Sequence, residues 1–211
     1  MKLETRWLGR IAFEDALALQ DQLVAERAAP EPSAPVPPEV LLLLEHEPVY
    51  TIGRTPDQSS LRDAALLPHP VVQINRGGQA TYHGPGQLVG YPILRLGERG
   101  QDLHRYLREL EEALIELLAE YGVAAVRREG LTGVWVGERK IASIGVGVRK
   151  WISMHGFALN VCGDLTPFNQ ITPCGIAGVE MTNLERESGQ PVDVRSVADR
   201  VAAVFERRFF P

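Results

Sequence analysis

Residues 76–92 read RGGQATYHGPGQLVGYP, with five glycines and two prolines in seventeen positions. No helix tolerates that density, because each interior glycine costs roughly 0.5–1 kcal/mol and proline both removes a donor and clashes with the preceding turn. The chain must turn here before it straightens into the apolar QLVGYPILRL. A simple turn needs one glycine or two. The surplus is interleaved with Arg76, Tyr82 and His83, which suits backbone brought close to a bound group. The spacing matches neither phosphate fingerprint: G-x-x-x-x-G-K-[ST] does not occur, and GPGQLVG places its third glycine wrongly for a dinucleotide turn. A cleft wall presenting Arg76, Tyr82 and His83 fits the stretch. A structural glycine loop around a core histidine fits it too.

The flanking segments set the fold class. FEDALALQDQLVAER carries Phe13, Ala16, Leu17, Leu23 and Val24 as a helical stripe. EVLLLLEHEPVYTIG reads as a buried strand, a turn and a second strand; DQSSLRDAALL reads as a short helix and VVQINR as a strand. Gly90 and Pro92 place the strand QLVGYPILRL at a bulge or a sheet edge. The clearest helix follows, with Leu103, Tyr106, Leu107, Leu110, Leu114, Leu117, Leu118 and Tyr121 on one face. Asp102 can cap its start, and Gly122 sits where a helix commonly ends. VAAVRRE, TGVWVG, RKIASIGVGVR and WISMHGFALNV read as successive strands, residues 163–180 as a loop, and DVRSVADRVAAVFERRF as a final helix. Strands in runs with intermittent helices predict an α+β fold with a mixed or mostly antiparallel sheet. APEPSAPVPPE, at 29–39, reads as an extended surface connection within one domain spanning 1–211.

Bulk properties exclude several classes. The net charge of −5 gives no global basic field for nucleic acid. MKLETRWLGR lacks the apolar stretch of a signal peptide, and VLLLL at 40–44 is far too short to span a bilayer. Two cysteines, Cys162 and Cys174, do not make a disulfide framework, and a reducing cytoplasm suits them. Of 22 basic residues only Lys2, Lys140 and Lys150 are lysines, so an interior lysine stands out as a titratable amine among arginines.

Three side chains then carry candidate chemistry. Cys174, in TPCGIAG, is flanked by proline and glycine in a loop where a thiol can be oriented for nucleophilic attack; an inert cysteine is the alternative that the residues alone leave open. Cys162 closes the apolar FALNVC and reads as core. Lys140 opens KIASIGVGV, where burial would favour a neutral amine able to act as a base; a hairpin lysine in water is the alternative. His155 shares that ambiguity. His83, His155, Cys162 and Cys174 lack the paired spacings of structural zinc, and no H-E-x-x-H occurs, so no metal is expected.

Taken together, LGRIAFEDALALQ, LLLLEHEPVYTIGR, RGGQATYHGPGQLVGYP, KIASIGVGVRKWISMHGFALNV and ITPCGI resemble the lipoyl(octanoyl) transferase family along nearly the whole chain. The resemblance implies a fold like that of lipoate- and biotin-protein ligases. It implies an acyltransferase that moves an octanoyl group from octanoyl-acyl carrier protein to lysines of lipoyl domains of 2-oxoacid dehydrogenases and of glycine cleavage H protein, with no cofactor. By the same matching, Cys174 is the acyl-carrying nucleophile and Lys140 its partner and general base. The acyl site is expected at Arg76, Gly77, Gly78, Gln79, Ala80, Thr81, Tyr82 and His83, at Ser143, Ile144 and Gly145, and at Gly156, Phe157 and Ala158. Gly147 departs from the family pattern, where a bulkier residue is common. A tunnel walled by backbone suits an octanoyl chain, whose seven apolar carbons would supply roughly 5 kcal/mol on burial. Backbone N–H groups at Cys174 and Gly175 are the expected oxyanion donors, with His83 a lesser candidate for orienting the dyad or binding the thioester carbonyl. Arg127, Arg128, Arg139, Arg149 and Lys150 are candidates for a basic surface towards acidic partners, with scattered solvated side chains as the alternative. An ATP-dependent lipoate or biotin ligase, or a non-catalytic acyl-binding relative, is the alternative.

Overall fold

A computed structural model describes residues 2–28 and 36–210. Strand β2 (Glu39–His46), built on the VLLLL run, is buried along almost its whole length. Strand side chains alternate between faces, so an unbroken apolar run requires cover on both. Leu41 and Leu43 pack on one side against helices α2 (Leu103–Ala119) and α4 (Val194–Phe209), while Val40, Leu42 and Leu44 face helix α1 (Phe13–Ala28) on the other. Each fully buried leucine contributes about 1.5–3 kcal/mol, and this layering is what the run specifies.

The other strands of this sheet are β1 (Leu3–Ile11), β6 (Gln87–Ile93), β7 (Val126–Arg128), β8 (Leu131–Val136), β9 (Arg139–Arg149) and β10 (Ile152–Asn160). The order is β1-β2-β6-β10-β9-β8-β7, with β1 parallel to β2 and the remaining pairs antiparallel. A smaller sheet, ordered β4-β3-β5, joins β3 (Val49–Ile52), β4 (Val71–Gln73) and β5 (Thr81–His83). Its own apolar cluster, including Tyr50, Ile52, Ala80, Tyr82, Phe168 and Ile171, supports the loop that carries Cys174. The α+β expectation with a mixed sheet and flanking helices therefore holds.

Local readings differ in three places. The expected helix at DQSSLRDAALL is two separate 3-10 turns, Ser59–Leu61 and Ala64–Leu66, parted by Arg62 at φ +56. The strand read in VVQINR keeps only Val71–Gln73. The strand holding Gly90 and Pro92 is neither an edge nor bulged: β6 lies between β2 and β10. Its register with β10 runs from Phe157 opposite Gly90 to the Ser153 N–H on the Leu94 carbonyl, which puts His155 opposite Pro92. Proline has no N–H to give there, and His155, at φ +57, turns its own N–H to Gln20 Oε1 instead. The sheet thus tolerates an internal proline by removing the ladder on both sides at once.

The helix ends follow ordinary capping. Asp102 accepts the Arg105 N–H at 2.9 Å, and Gly122 takes φ +73 just beyond α2. A short helix, α3 (Leu184–Ser188), is capped by Asn183 in the same way. Of the proline-rich stretch, 29–35 lies outside the described residues. Residues 36–38 have no regular structure, and the Pro37 and Pro38 carbonyls are held by Arg95 and Arg27.

Candidate active site

β8 and β9 position the amine. Lys140 sits near the start of β9, where its N–H donates to the Glu180 carbonyl and its carbonyl accepts from Thr182, so the backbone is held on that side. Its side chain turns inward and is 1% exposed. That path exists because residue 133 is glycine: a β-carbon there would lie 2.6 Å from Lys140 Cε, and Gly133 adopts φ +125. Glu111 of α2, itself buried, accepts the Gly133 N–H at 2.9 Å and an Arg108 bond at 2.6 Å, fastening this wall to the helix. Lys140 Nζ then donates to the Thr132 carbonyl at 3.0 Å and to Cys174 Sγ at 3.1 Å.

The thiol comes from a strained turn. Cys174 lies in the 3-10 segment Pro173–Gly175 with φ +56, uncommon for a residue bearing a β-carbon. Its N–H donates to the Ala80 carbonyl at 2.8 Å, which binds this turn to the strand that follows the glycine run. Ser143 Oγ stands 3.6 Å from the sulfur. The Cys174 and Gly175 N–H groups, the expected oxyanion donors, are already committed to the Ala80 and Thr172 carbonyls.

These groups open on a cavity of about 230 Å³ between the two sheets, lined by side chains and backbone from the glycine run, β8, β9, β10 and the Cys174 turn. Of the residues expected there, Arg76, Gly78, Gln79, Thr81, His83, Ser143, Ile144, Gly145, Gly156, Phe157 and Ala158 line it beside Lys140 and Cys174. Gly77, Ala80 and Tyr82 stand behind the wall. Gly77 donates to the Val146 carbonyl, while Ala80 and Tyr82 belong to the apolar cluster under the small sheet. Gly84 and Gly86 have structural work: a β-carbon at 84 would strike the Tyr82 hydroxyl, and one at 86 the Cys162 backbone. Phe13, Tyr91, Gly130, Leu131, Thr132, His155 and Ile176 also line the cavity. Apart from His155, none of these stands out in the sequence as a site residue.

The electrostatics are one-sided. Lys140 and Arg76 both face this space, and no carboxylate lines it among the described residues, although the chain as a whole carries −5. Arg76 is buried and donates to the Gly77 carbonyl at 2.9 Å and to the Thr51 carbonyl and hydroxyl at 3.1 and 3.0 Å. Burial pulls its guanidinium pKa down from the ordinary value, and the Cys174 sulfur is the leading group that offsets this. Gly145 makes room for it, since a β-carbon there would lie 2.9 Å from Arg76 Cδ.

His83 is fully occupied. Gln87 Nε2 donates to the Tyr82 carbonyl and Asn160 Oδ1, so Gln87 Oε1 accepts from His83 Nδ1 at 2.7 Å. His83 Nε2 then accepts from Thr51 Oγ1 at 3.3 Å, leaving no ring nitrogen for the dyad or a thioester carbonyl. Burial, with His46 next, pushes this imidazole down to about 3. His46 is satisfied likewise: Nδ1 donates to the Ile11 carbonyl and Nε2 accepts from the Tyr91 hydroxyl at 2.7 Å, with burial lowering its pKa to about 4.

Cys162 packs against the main core, and burial pushes its thiol up. The expected basic surface is largely neutralised within the chain. Arg127 pairs with Glu112, Arg128 with Glu138, Arg139 with Glu187 at 2.9 Å and Arg149 with Asp21 at 3.2 Å. No group of three or more His, Cys, Asp or Glu side chains is placed to hold a metal ion, and no helix is long and apolar enough to cross a membrane, among the described residues.

Comparison with known proteins agrees with this architecture. The family model described as the lipoyl protein ligase A/B catalytic domain matches residues 12–206. A Geobacter metallireducens protein named octanoyltransferase is 54% identical over 207 residues, covering 96% of this chain and 93% of its own length. Among solved structures, the bipartite lipoate protein ligase of Thermoplasma acidophilum superposes with a TM-score of 0.70 at 18% identity, covering 99% of this chain and 84% of that one. Biotin protein ligase from Aquifex aeolicus gives 0.57 at 15% identity, covering 98% and 72%. At those identities the two structures speak to fold alone.

Proposed function

The chain belongs to the lipoyl protein ligase A/B catalytic domain family and is an acyltransferase, and from that premise we propose that it carries an octanoyl group on Cys174 between two protein partners. The donor is octanoyl-acyl carrier protein. The acceptors are lysines of lipoyl domains in 2-oxoacid dehydrogenases and of glycine cleavage H protein, so the reaction opens protein lipoylation. The observation that carries this reading is the 3.1 Å approach of Lys140 Nζ to Cys174 Sγ at a cavity of about 230 Å³.

The Cys174 thiolate attacks the thioester carbonyl of the donor. A new carbon–sulfur bond forms at Cys174, the bond to the carrier sulfur breaks, and the departing sulfur takes a proton from the Lys140 ammonium. Lys140 is then neutral beside the acyl-enzyme. The acceptor amine attacks the same carbonyl, Lys140 takes its proton, the amide forms and the Cys174 thiolate is restored. With the Cys174 and Gly175 N–H groups committed elsewhere, the candidate oxyanion donors are Ser143 Oγ, 3.6 Å from the sulfur, and Thr81 Oγ1, which lines the cavity and is buried without a partner among the described residues. Gln79 packs directly on Gly175, where a β-carbon would meet its Cγ at 2.8 Å.

Intact-mass measurement with an octanoyl thioester and no acceptor tests the scheme. A hydroxylamine-sensitive adduct must appear on the wild type and vanish in Cys174→Ala. An adduct that survives this substitution removes the acyl-enzyme.

A further inference from the structure

The cavity extends along β9. Cys174 Sγ lies beside Ser143, and His155 pairs with Val146, three residues further along the strand. Three strand residues cover roughly 10 Å, comparable to the length of an extended eight-carbon chain. His155 therefore stands where the end of such a chain arrives.

This histidine differs from the other two in the neighbourhood. It is 2% exposed, lines the cavity, and has no hydrogen-bond partner on either ring nitrogen among the described residues. His46 and His83 each use both nitrogens. The ring is nonetheless held in place. The His155 N–H goes to Gln20 Oε1 at 2.7 Å, and Tyr91 stands edge-on at 6.2 Å with its hydroxyl given to His46. Gly147 lies beneath: a β-carbon there would come 3.3 Å from His155 Cδ2 and 2.5 Å from the Asn75 carbonyl. Gly147 thus leaves room for the Asn75 carbonyl first and for this imidazole beside it. A buried donor and acceptor left unsatisfied are expensive, and buried polar groups in folded proteins are rarely left so.

Resting on the reading that the acyl chain occupies this cavity, we propose that His155 forms a subsite for a hydrogen-bonding group at the far end of the chain. The enzyme then accepts eight-carbon acyl groups bearing a terminal hydroxyl as well as plain octanoyl. A neutral imidazole offers one donor and one acceptor, and a hydroxyl matches both. A chain two carbons longer brings methylenes against the nitrogens instead and is disfavoured.

Octanoyl, ω-hydroxyoctanoyl and decanoyl thioesters of one small thiol are compared by the rate of Cys174 acylation, followed by intact mass. In the wild type, ω-hydroxyoctanoyl reacts within roughly threefold of octanoyl, and decanoyl roughly tenfold slower. His155→Phe fills the space without nitrogens and lowers the ω-hydroxyoctanoyl to octanoyl ratio by roughly tenfold. His155→Asn, which tolerates the same positive φ and keeps a donor and an acceptor, restores most of that ratio. A histidine that only supports the fold slows every thioester alike, so an unchanged ratio in His155→Phe overturns the proposal. Wild-type discrimination beyond roughly thirtyfold against the terminal hydroxyl overturns it too, whatever the variants do. An octanoyl adduct with unaltered ratios defeats the subsite alone, whereas no adduct with any thioester defeats the acyl-enzyme and the subsite together.

Discussion

The two ends of the cavity are built on opposite principles. At the sulfur end, Lys140 and Arg76 confront Cys174 with no carboxylate on the wall among the described residues, and Cys174 and Gly133 both sit at positive φ. At the far end, His46, His83 and His155 are buried and neutral, with folded-state values of about 4, 3 and 4. On the proposed mechanism, the cations stand where bonds change, and neutral imidazoles border the space left for the acyl chain. Substitutions at the first end should therefore move rate, and those at the second should move stability and substrate choice.

Lys140→Arg tests that division most severely. It keeps a cation beside the sulfur and loses the group able to take the acceptor's proton, so turnover should fall by roughly 10²–10³-fold in a steady-state transfer assay. Near-normal turnover would remove the amine from the chemistry. Gly133→Ala comes next: at φ +125 the new β-carbon meets both Lys140 Cε and the Ala142 carbonyl at 2.6 Å, so the wall that aims the amine must shift, and acylation should slow by roughly 10–100-fold without any reactive group having changed. An unaltered acylation rate would mean the amine has other room. At the far end, Tyr91→Phe leaves His46 Nε2 buried without its donor and should cost about 1–3 kcal/mol in urea unfolding. A neutral effect there would show that His46 does not need the phenol.

Acid should weaken the same end of the molecule. All three histidines have folded-state pKa values below the unfolded value of about 6.5, so the unfolded chain binds more protons as the pH falls. Their contribution is complete above pH ~6.5 and is lost progressively towards pH 4 for His46 and His155 and towards pH 3 for His83, at up to about 1.4 kcal/mol per pH unit for each. Urea midpoints that coincide at pH 7 and pH 5.5 would contradict the buried, neutral state.

Legibility in the sequence followed the range of the interaction. The α2 stripe and the VLLLL strand were readable because periodicity and burial are local properties of a segment. β1 escaped notice because LETRWLGRI mixes charges with its apolar residues at a sheet edge, and α3 because five residues leave almost no period. Pro92 misled because the compensation for its missing N–H lies in His155 and Gln20, far away along the chain. The site divides in the same way. Cys174 and Lys140 stand out by residue type, yet their meeting across 34 positions is tertiary. Glu111 and Gly133 had no local signal at all: one is a charge on a helix, the other an ordinary strand glycine, and their roles exist only once α2 lies against β8.

The Glu111 tie has a thermal consequence. The geometry of the amine depends on a carboxylate from α2, so a small shift of that helix, short of unpacking it from the sheet, is enough to break the Glu111 bond and misplace Lys140. On warming, catalytic inactivation should then precede the cooperative melting of the sheet.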